Sequence, residues 1–320
     1  MAGKKRAGGK KAAAARPRDG SQSGTTPVLP RIGVAFGGGG ARGLAHIHVI
    51  RELDALGIRP AAISGSSIGA IMGAAMAAGM TGEEIEAHAL AVLADRGEAV
   101  ARLWRARPAS LGAMMETGIR FSQFNVESIL KAFLPDDIPH RFEDLEIPLT
   151  VTATDYFGHK LCLFTKGDLR NAVAASAAIP AVFRPVKRDG MTLIDGGIYN
   201  PLPFDVFGDS VDMVIAIDVV GGPEETGGNP SSIDFMFGAT QLMMQSIIAT
   251  RQKAHPPAIM IRPPVSRFRV LDFLKIRQVL NVTEPVRTQV REALIEKLPQ
   301  LAGRARLQEA QSEPPEAEPA

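Results

Sequence analysis

The chain has 320 residues, of which 45% are hydrophobic and 22% are charged. This composition supports a substantial buried core, and it excludes both a disulfide-stapled miniprotein and a disordered polymer. The net charge is only +2, aromatic residues make up 5%, and Cys162 is the single cysteine. We therefore expect no base-stacking nucleic-acid surface in the body and no internal disulfide, which fits a reducing compartment.

The chain begins with a basic segment, in which seven Lys or Arg side chains of residues 1–28 face one acid, Asp19. Because the whole chain carries +2 and this segment carries +6, residues 29–320 sum to −4. A segment so poor in bulky apolar groups is predicted to be a disordered tail. Two interpretations stay open, a tether to anionic lipid or nucleic acid and a solvated extension, and the second is the simpler.

Short apolar runs alternate with segments of helical periodicity along the body of the chain. In chain order the predicted elements are a strand at 32–36, a helix at 44–56, a strand at 61–64, helices at 68–78, 81–94 and 126–134, strands at 149–154 and 161–164, a helix at 169–178, strands at 192–194 and 213–219, a helix at 233–254, a strand at 258–261 and a helix at 285–298. Residues 97–120 are predicted to be irregular. Strands alternating with helices predict an α/β fold with a largely parallel sheet.

The chain ends in a Pro/Glu-rich segment, residues 304–320, which is predicted to be a second disordered tail. This leaves residues 29–303 as one domain. No secretory signal is predicted, because no apolar stretch follows the basic start. The longest weakly polar run, residues 61–80, is interrupted by four glycines and is a poor membrane span. We expect a cytoplasmic protein whose membrane contact, if any, is peripheral.

The first motif with chemical content is GGGGARG at residues 37–43, between a predicted strand and helix. Without a Cβ, successive glycines let their N–H groups point into one small volume, and the following helix adds its free amides. The product is an anion pocket for a phosphate or an oxyanion. Arg42 opposes the helix dipole and is therefore not placed there for helix stability. A tight turn alone needs fewer glycines.

The second motif, Gly65-Ser66-Ser67-Ile68-Gly69, matches G-x-S-x-G between a predicted strand and helix. This is the context of a nucleophile elbow, with Ser67 as the strained central residue. A serine N-cap is the alternative interpretation.

A serine nucleophile needs a base, and the six histidines offer no compelling one. His255 alone follows the third motif, at a helix end, where a histidine commonly interacts with the helix dipole. The third motif is Asp195-Gly196-Gly197 after an apolar run. By itself it also fits an ordinary Asp-Gly turn.

Other chemistries lack their signatures. The glycines at 38, 40 and 43 fit a dinucleotide fingerprint, but no acidic residue follows at the end of the second strand. No Gly-Lys-Ser/Thr follows the glycines either, so a phosphate loop of the Walker type is excluded. No His/Cys/Asp/Glu cluster has metal-ligand spacing, and we expect neither a metal nor an organic cofactor.

Taken together and in this order, the three motifs resemble the patatin-like phospholipase family, and in particular bacterial members related to the catalytic domain of neuropathy target esterase. The segments ASAAIPAVFRP at 175–185 and DGGIYNPLP at 195–203 are also similar to that family. The resemblance covers roughly residues 30–265. It implies a three-layer α/β/α fold with a largely parallel central sheet.

The resemblance also implies the site. Ser67 corresponds to the nucleophile and Asp195 to the base of a Ser–Asp dyad. The oxyanion loop corresponds to Gly38, Gly39 and Gly40, with Arg42 at its basic position. The remaining motif glycines are Gly43, Gly65, Gly69, Gly196 and Gly197.

We therefore expect a carboxylic ester hydrolase acting on phospholipid or lysophospholipid. Two alternatives stay open: a lipid-binding or scaffold protein without catalysis, and a Ser-His-Asp esterase that uses His255. Apolar residues in 111–124 and 233–248 could line an acyl groove or belong to ordinary core stripes. The oligomeric state does not follow from the sequence.

Overall fold

The computed structural model describes residues 29–93, 130, 134–225 and 230–304. The strands in this part of the chain are β1 (Ile32–Phe36), β2 (Ala62–Gly65), β3 (Leu149–Asp155), β4 (Lys160–Phe164), β5 (Val186–Arg188), β6 (Met191–Asp195), β7 (Met213–Ile217) and β8 (Ile259–Ile261). The helices are α1 (His46–Ala55), α2 (Ile68–Ala77), α3 (Gly82–Leu93), α4 (Leu169–Ser176), α5 (Ser232–Ala254), α6 (Ile276–Thr283) and α7 (Val286–Lys297).

One mixed sheet forms the middle layer, and alternate residues of its strands face different cores. In β1, Val34 and Phe36 join a large core that helices α1, α2, α3, α4, α6 and α7 share. Ala35 faces the opposite side and joins a smaller core with Ile248 of α5 and Phe204. The sheet is therefore covered on both faces, as in a three-layer α/β/α fold.

The strand order along the hydrogen-bonded path is β5-β6-β3-β2-β1-β7-β8, and β4 also pairs with β3. Strands β3, β2, β1, β7 and β8 are parallel, whereas β4 and β6 run antiparallel to β3. The predicted α/β fold with a largely parallel sheet is thus confirmed, and the antiparallel strands lie at one end of it.

Strand β3 brings the ends of two other strands together. Val151 pairs with both Gly65 and Phe164, and Ala153 pairs with both Cys162 and Asp195. A strand residue has one neighbour on each side, so β4 occupies one side of β3 while β2 and β6 share the other. Because β2 and β6 run in opposite directions, their carboxyl ends meet two residues apart along β3.

The predicted elements within the described residues all occur, with ends that differ by a few residues. The short elements β5 and α6 were not predicted, because three and eight residues carry little periodicity. The predictions for residues 1–28, 305–320 and 97–120 and for most of the helix at 126–134 fall outside the described residues, whereas Arg304, the first residue of the predicted second tail, donates to the Leu56 carbonyl. No helix within the described ranges has the length and apolarity needed to cross a bilayer.

Candidate functional site

Ser67 lies in the turn between β2 and α2, in a backbone conformation that few residues other than glycine adopt. Its φ is 54° and its ψ is −123°. The two motif glycines permit this tight turn: a Cβ at Gly65 would overlap Gly69, and a Cβ at Gly69 would overlap the carbonyl oxygen of Phe36 at the end of β1. The predicted serine elbow is therefore present as a strained turn, not as a simple helix cap.

Asp195 ends β6 and faces Ser67 across the junction of the two strands. The Ser67 hydroxyl donates a hydrogen bond of 2.7 Å to Oδ2 of Asp195. The other carboxylate oxygen, Oδ1, accepts the N–H of Gly197 at 2.7 Å. Thr154 of β3 donates its hydroxyl to the Asp195 carbonyl at 2.9 Å, which fixes the backbone behind the carboxylate. Two residues that are 128 positions apart in the chain are thus joined directly.

The carboxylate of Asp195 is almost entirely removed from water. Burial raises its pKa from 3.8 to about 6, while the hydrogen bonds from Ser67 and Gly197 act in the opposite direction. A carboxyl group tuned in this way is a stronger base than a free aspartate, and it is ionised at neutral pH.

The glycine-rich loop lies directly against Ser67. A Cβ added at Gly38 would lie only 3.3 Å from the Ser67 Cβ. The Gly38 N–H donates to the Pro201 carbonyl at 2.8 Å. The N–H groups of Gly39 and Gly40 have no acceptor among the described residues. Of these three glycines, Gly39 and Gly40 therefore have free N–H groups, whereas Gly38 permits the close approach to Ser67.

Gly40 has a φ of +59°, and a Cβ there would overlap the Val270 carbonyl. A Cβ at Gly39 would overlap Val219 in the same way. The loop is therefore held between two other segments of the chain.

Two of the other motif glycines also mark close approaches near Ser67. A Cβ at Gly43 would overlap the Ile68 side chain, and a Cβ at Gly196 would overlap Thr152. The structure thus brings all eleven predicted site residues into one region around the Ser67–Asp195 contact. Their roles in a reaction stay predictions.

Two supporting residues were not identified from the sequence. Ser176, at the end of α4, accepts the Ser67 N–H on its hydroxyl at 2.8 Å. The imidazole of His46 lies 2.9 Å from the Gly37 carbonyl, to which Nε2–H donates. Burial lowers the His46 pKa to about 4, so this ring is neutral and serves as a donor to the glycine loop. The segment ASAAIP contains Ser176, but nothing local in it points to Ser67.

Arg42 is a buried cation that forms no ion pair with any residue the structure describes. It is 2% exposed, and Nε and Nη1 have no hydrogen-bond acceptor among the described residues. Burial lowers its pKa to about 10, and the charge of Asp272 opposes this shift. An unsatisfied guanidinium in such a place is costly unless a ligand completes its hydrogen bonds.

Two cavities meet at Ser67. The first, of about 340 Å³, is lined almost wholly by apolar side chains, many of which come from α2, α3 and residues 271–274. The second, of about 380 Å³, contains Arg42 and Asp195 and is covered by α5. Both volumes fall within the range of small-molecule sites.

The sequence left open whether residues 233–248 line an acyl groove or belong to core stripes, and the structure places one side of α5 along the second cavity. Met236, Phe237, Met243, Met244 and Ile247 line the second cavity. Phe235 and Leu242 instead face solvent, and Ile248 belongs to the smaller core. The apolar residues of 111–124 fall outside the described part of the chain.

His255 is the C-cap residue of α5, is exposed, and lines neither cavity that contains Ser67. The carboxylate of Asp195 instead occupies the position next to the Ser67 hydroxyl where a base is needed. No cluster of three or more His, Cys, Asp or Glu side chains suited to a metal occurs in the described ranges.

Comparison with known proteins identifies the family of the chain. An NTE family protein of Mycobacterium bovis is 38% identical over 193 residues, which are 60% of this chain and 50% of that protein. Lysophospholipase NTE1 of Yarrowia lipolytica is 27% identical over 282 residues, covering 78% of this chain and 19% of that one. The chain therefore spans about half, or much less, of the length of these relatives.

Among solved structures, VipD from Legionella pneumophila aligns with 79% of this chain and 66% of its own, at 15% identity and a TM-score of 0.38. The family model for patatin-like phospholipases matches residues 34–207, which is more than half of the chain. The chain belongs to the patatin-like phospholipase family.

Proposed function

We propose that this protein is a serine acyl hydrolase that cleaves carboxylic esters of lipids through Ser67 and Asp195. The observation that carries the proposal is the 2.7 Å hydrogen bond from the Ser67 hydroxyl to a buried carboxylate, at a residue held with positive φ. Backbone strain at a nucleophile is typical of a catalytic turn. The family membership supports an ester bond of a lipid as the target.

In the proposed first step, the Ser67 oxygen forms a bond to the ester carbonyl carbon while its proton passes to Asp195. The carbonyl oxygen takes up negative charge, and the tetrahedral intermediate collapses when the alcohol leaves with the proton from Asp195. Water then attacks the acyl group on Ser67, again giving its proton to Asp195. Release of the carboxylic acid returns the proton to the Ser67 oxygen.

Asp195 is a weak base even with its pKa raised to about 6, so stabilisation of the oxyanion has to contribute much of the rate. The free N–H groups of Gly39 and Gly40 are the proposed donors, because Gly38 is already bonded to Pro201. Loss of one such donor typically costs about 3 kcal/mol in the transition state.

The two cavities divide the proposed substrate between them. The first cavity takes the acyl chain, because its lining is almost entirely apolar. The second takes the rest of the lipid, where the unpaired Arg42 guanidinium suits a phosphate oxygen. An apolar cavity beside a cavity that contains a guanidinium favours a phospholipid or lysophospholipid over a neutral ester.

A fluorophosphonate probe tests the nucleophile. We expect the wild-type protein to be labelled and to hydrolyse a lysophospholipid, and we expect Ser67→Ala to lose both while keeping its fold by circular dichroism. Ser66→Ala is the matched control, because Ser66 is the buried neighbour and its hydroxyl has no partner in the described structure. It should keep its label.

Turnover by a folded Ser67→Ala protein would exclude Ser67 as the nucleophile. If His255→Ala lowered the rate of ester hydrolysis about a thousandfold, the result would favour the Ser-His-Asp alternative.

A further inference from the structure

A basic and partly apolar segment, residues 267–277, lies beside the two cavities. Leu271 and Leu274 are 45% and 39% exposed, yet both also line the first cavity. Between this segment and the glycine loop, the Val270 carbonyl accepts the Ala41 N–H at 2.8 Å. Val270 itself lines the second cavity. The segment therefore contributes to the walls of both cavities and contacts the loop beside Ser67.

The first turn of α5 extends this surface. Arg269 approaches Asp234 with Nε 3.5 Å from Oδ1, which joins the basic segment to α5. The residues that follow Asp234, Phe235 and Met236, are 65% and 47% exposed. Met236 also lines the second cavity. Exposed apolar side chains are thus clustered at both cavities. Single, scattered apolar side chains on a surface need no explanation, but a cluster indicates an interaction site.

The segment carries an excess of positive charge. Residues 267–277 contain four cations and one acid, Asp272, within a body that is mildly acidic. Asp272 pairs with Lys275 at 2.8 Å, and Arg269 pairs with Asp234. Arg267 and Arg277 are exposed and have no ion-pair partner in the part of the chain that the structure describes.

We propose that this surface, residues 267–277 with Phe235 and Met236, docks on an anionic lipid surface. Apolar side chains flanked by cations suit the headgroup boundary of a bilayer, because the side chains enter the acyl region while the cations stay at the headgroups. Docking there would present both cavities to the lipid. The choice of a lipid as partner rests on the proposed function, whereas the surface itself rests on exposure and charge.

The test measures partitioning of the full chain onto vesicles by sedimentation. A Ser67→Ala background removes hydrolysis, so binding is scored independently of catalysis. We expect binding to phosphatidylcholine vesicles with 30% phosphatidylglycerol, and much weaker binding to phosphatidylcholine alone. Arg267→Gln combined with Arg277→Gln should weaken binding to the anionic vesicles roughly 25-fold, because each cation contributes about fivefold.

The matched control is Lys166→Gln combined with Lys253→Gln. Both lysines are exposed and line neither cavity, and Lys253 lies about 28 Å along α5 from Asp234. The control should bind within twofold of its parent. For the apolar part, Leu271→Asp should weaken binding, whereas Leu163→Asp should not. Leu163 is similarly exposed, at 47%, and lines neither cavity.

Equal loss in the test and control variants, or no loss in either, overturns the proposal. Conversion of an oligomer to a monomer by the arginine changes, with vesicle binding unchanged, would assign the surface to a second copy of the chain instead. In the Ser67 wild-type background, the double arginine variant should hydrolyse a short soluble ester normally and vesicle lipid poorly. Failure of the soluble reaction in the wild type would count against the proposed function alone.

Discussion

The serine turn at 65–69 and the acid loop at 195–203 meet at one point, but different forces hold them. The turn is fixed by close contact: Gly65 and Gly69 leave no room for a Cβ, and Ser67 has positive φ. The acid loop is fixed mainly by hydrogen bonds, from Thr154 to the Asp195 carbonyl and from Gly197 to its carboxylate, with one close contact where Gly196 packs against Thr152. Steric packing tolerates almost no substitution, whereas hydrogen bonds weaken by degrees.

The largest expected effect follows from the packing of the turn. In Gly69→Ala the new methyl group overlaps the Phe36 carbonyl, so β1 and the turn must separate. We expect the free energy of unfolding to fall by about 3 kcal/mol and ester hydrolysis to be lost. Urea denaturation and a lysophospholipid assay measure the two effects.

Gly303→Ala is the control for this change, because nothing lies within 4 Å of a Cβ at that position. It should shift the free energy of unfolding by less than about 0.5 kcal/mol. A Gly69→Ala protein with normal stability and activity would show that contact does not fix the turn.

A substitution in the acid loop is expected to lower activity while it raises stability, whereas Gly69→Ala in the turn lowers both. Asp195→Asn keeps the shape but removes the base, so hydrolysis should fall by at least about a thousandfold. The buried charge also disappears. Because burial raises the pKa of Asp195 from 3.8 to about 6, its charge destabilises the wild type above that pH by about 3 kcal/mol.

Asp195→Asn should therefore be more stable than the wild type at pH 8 and equally stable near pH 4. Thermal unfolding at the two pH values measures this difference. A variant that is less stable at pH 8 would show that the hydrogen bonds of the carboxylate outweigh its desolvation.

The wild-type pH profile separates the same two effects without mutation. The carboxylate must be ionised to accept the Ser67 proton, so kcat/KM should rise about tenfold per pH unit below 6 and reach a plateau above it. Over the same interval the contribution of Asp195 to stability should decline. It is fully present below about pH 4 and lost as pH rises through 6. A midpoint near 4 would mean that Asp195 is not desolvated during turnover.

The sequence predicted the turn better than the acid loop, because the turn is built from residues that are neighbours in the chain. The glycines, the serine, the short strand and the helix of the turn are neighbours in the chain, so local patterns describe them. Asp195 follows a strand that the three residues Thr192–Ile194 predicted, but its antiparallel placement beside β3 depends on pairing between distant segments. Only the family resemblance joined it to Ser67.

Other features were beyond local prediction. The roles of Ser176 and His46 arise from contacts with residues whose position the whole sheet determines. The hydrogen bond from the Gly38 N–H to the Pro201 carbonyl is of the same kind, and it limits the proposed oxyanion donors in the predicted loop to Gly39 and Gly40. The outward direction of Phe235 and Leu242 reflects rotation of α5 about its axis, which an apolar helix does not specify.

The smallest expected effect compares one supporting hydrogen bond on each side of the junction. Ser176→Ala removes the acceptor of the Ser67 N–H and leaves a buried donor unpaired, so kcat should fall roughly tenfold with KM unchanged. Thr154→Val removes the donor to the Asp195 carbonyl and should lower kcat by less than about threefold. The effect is smaller because Asp195 is not in a strained backbone conformation, whereas Ser67 is and depends more on its hydrogen bond to Ser176. Steady-state kinetics on a soluble ester compares them. If Thr154→Val lowers kcat as much as Ser176→Ala does, strain at Ser67 does not make the turn more dependent on its supporting hydrogen bond than the acid loop is.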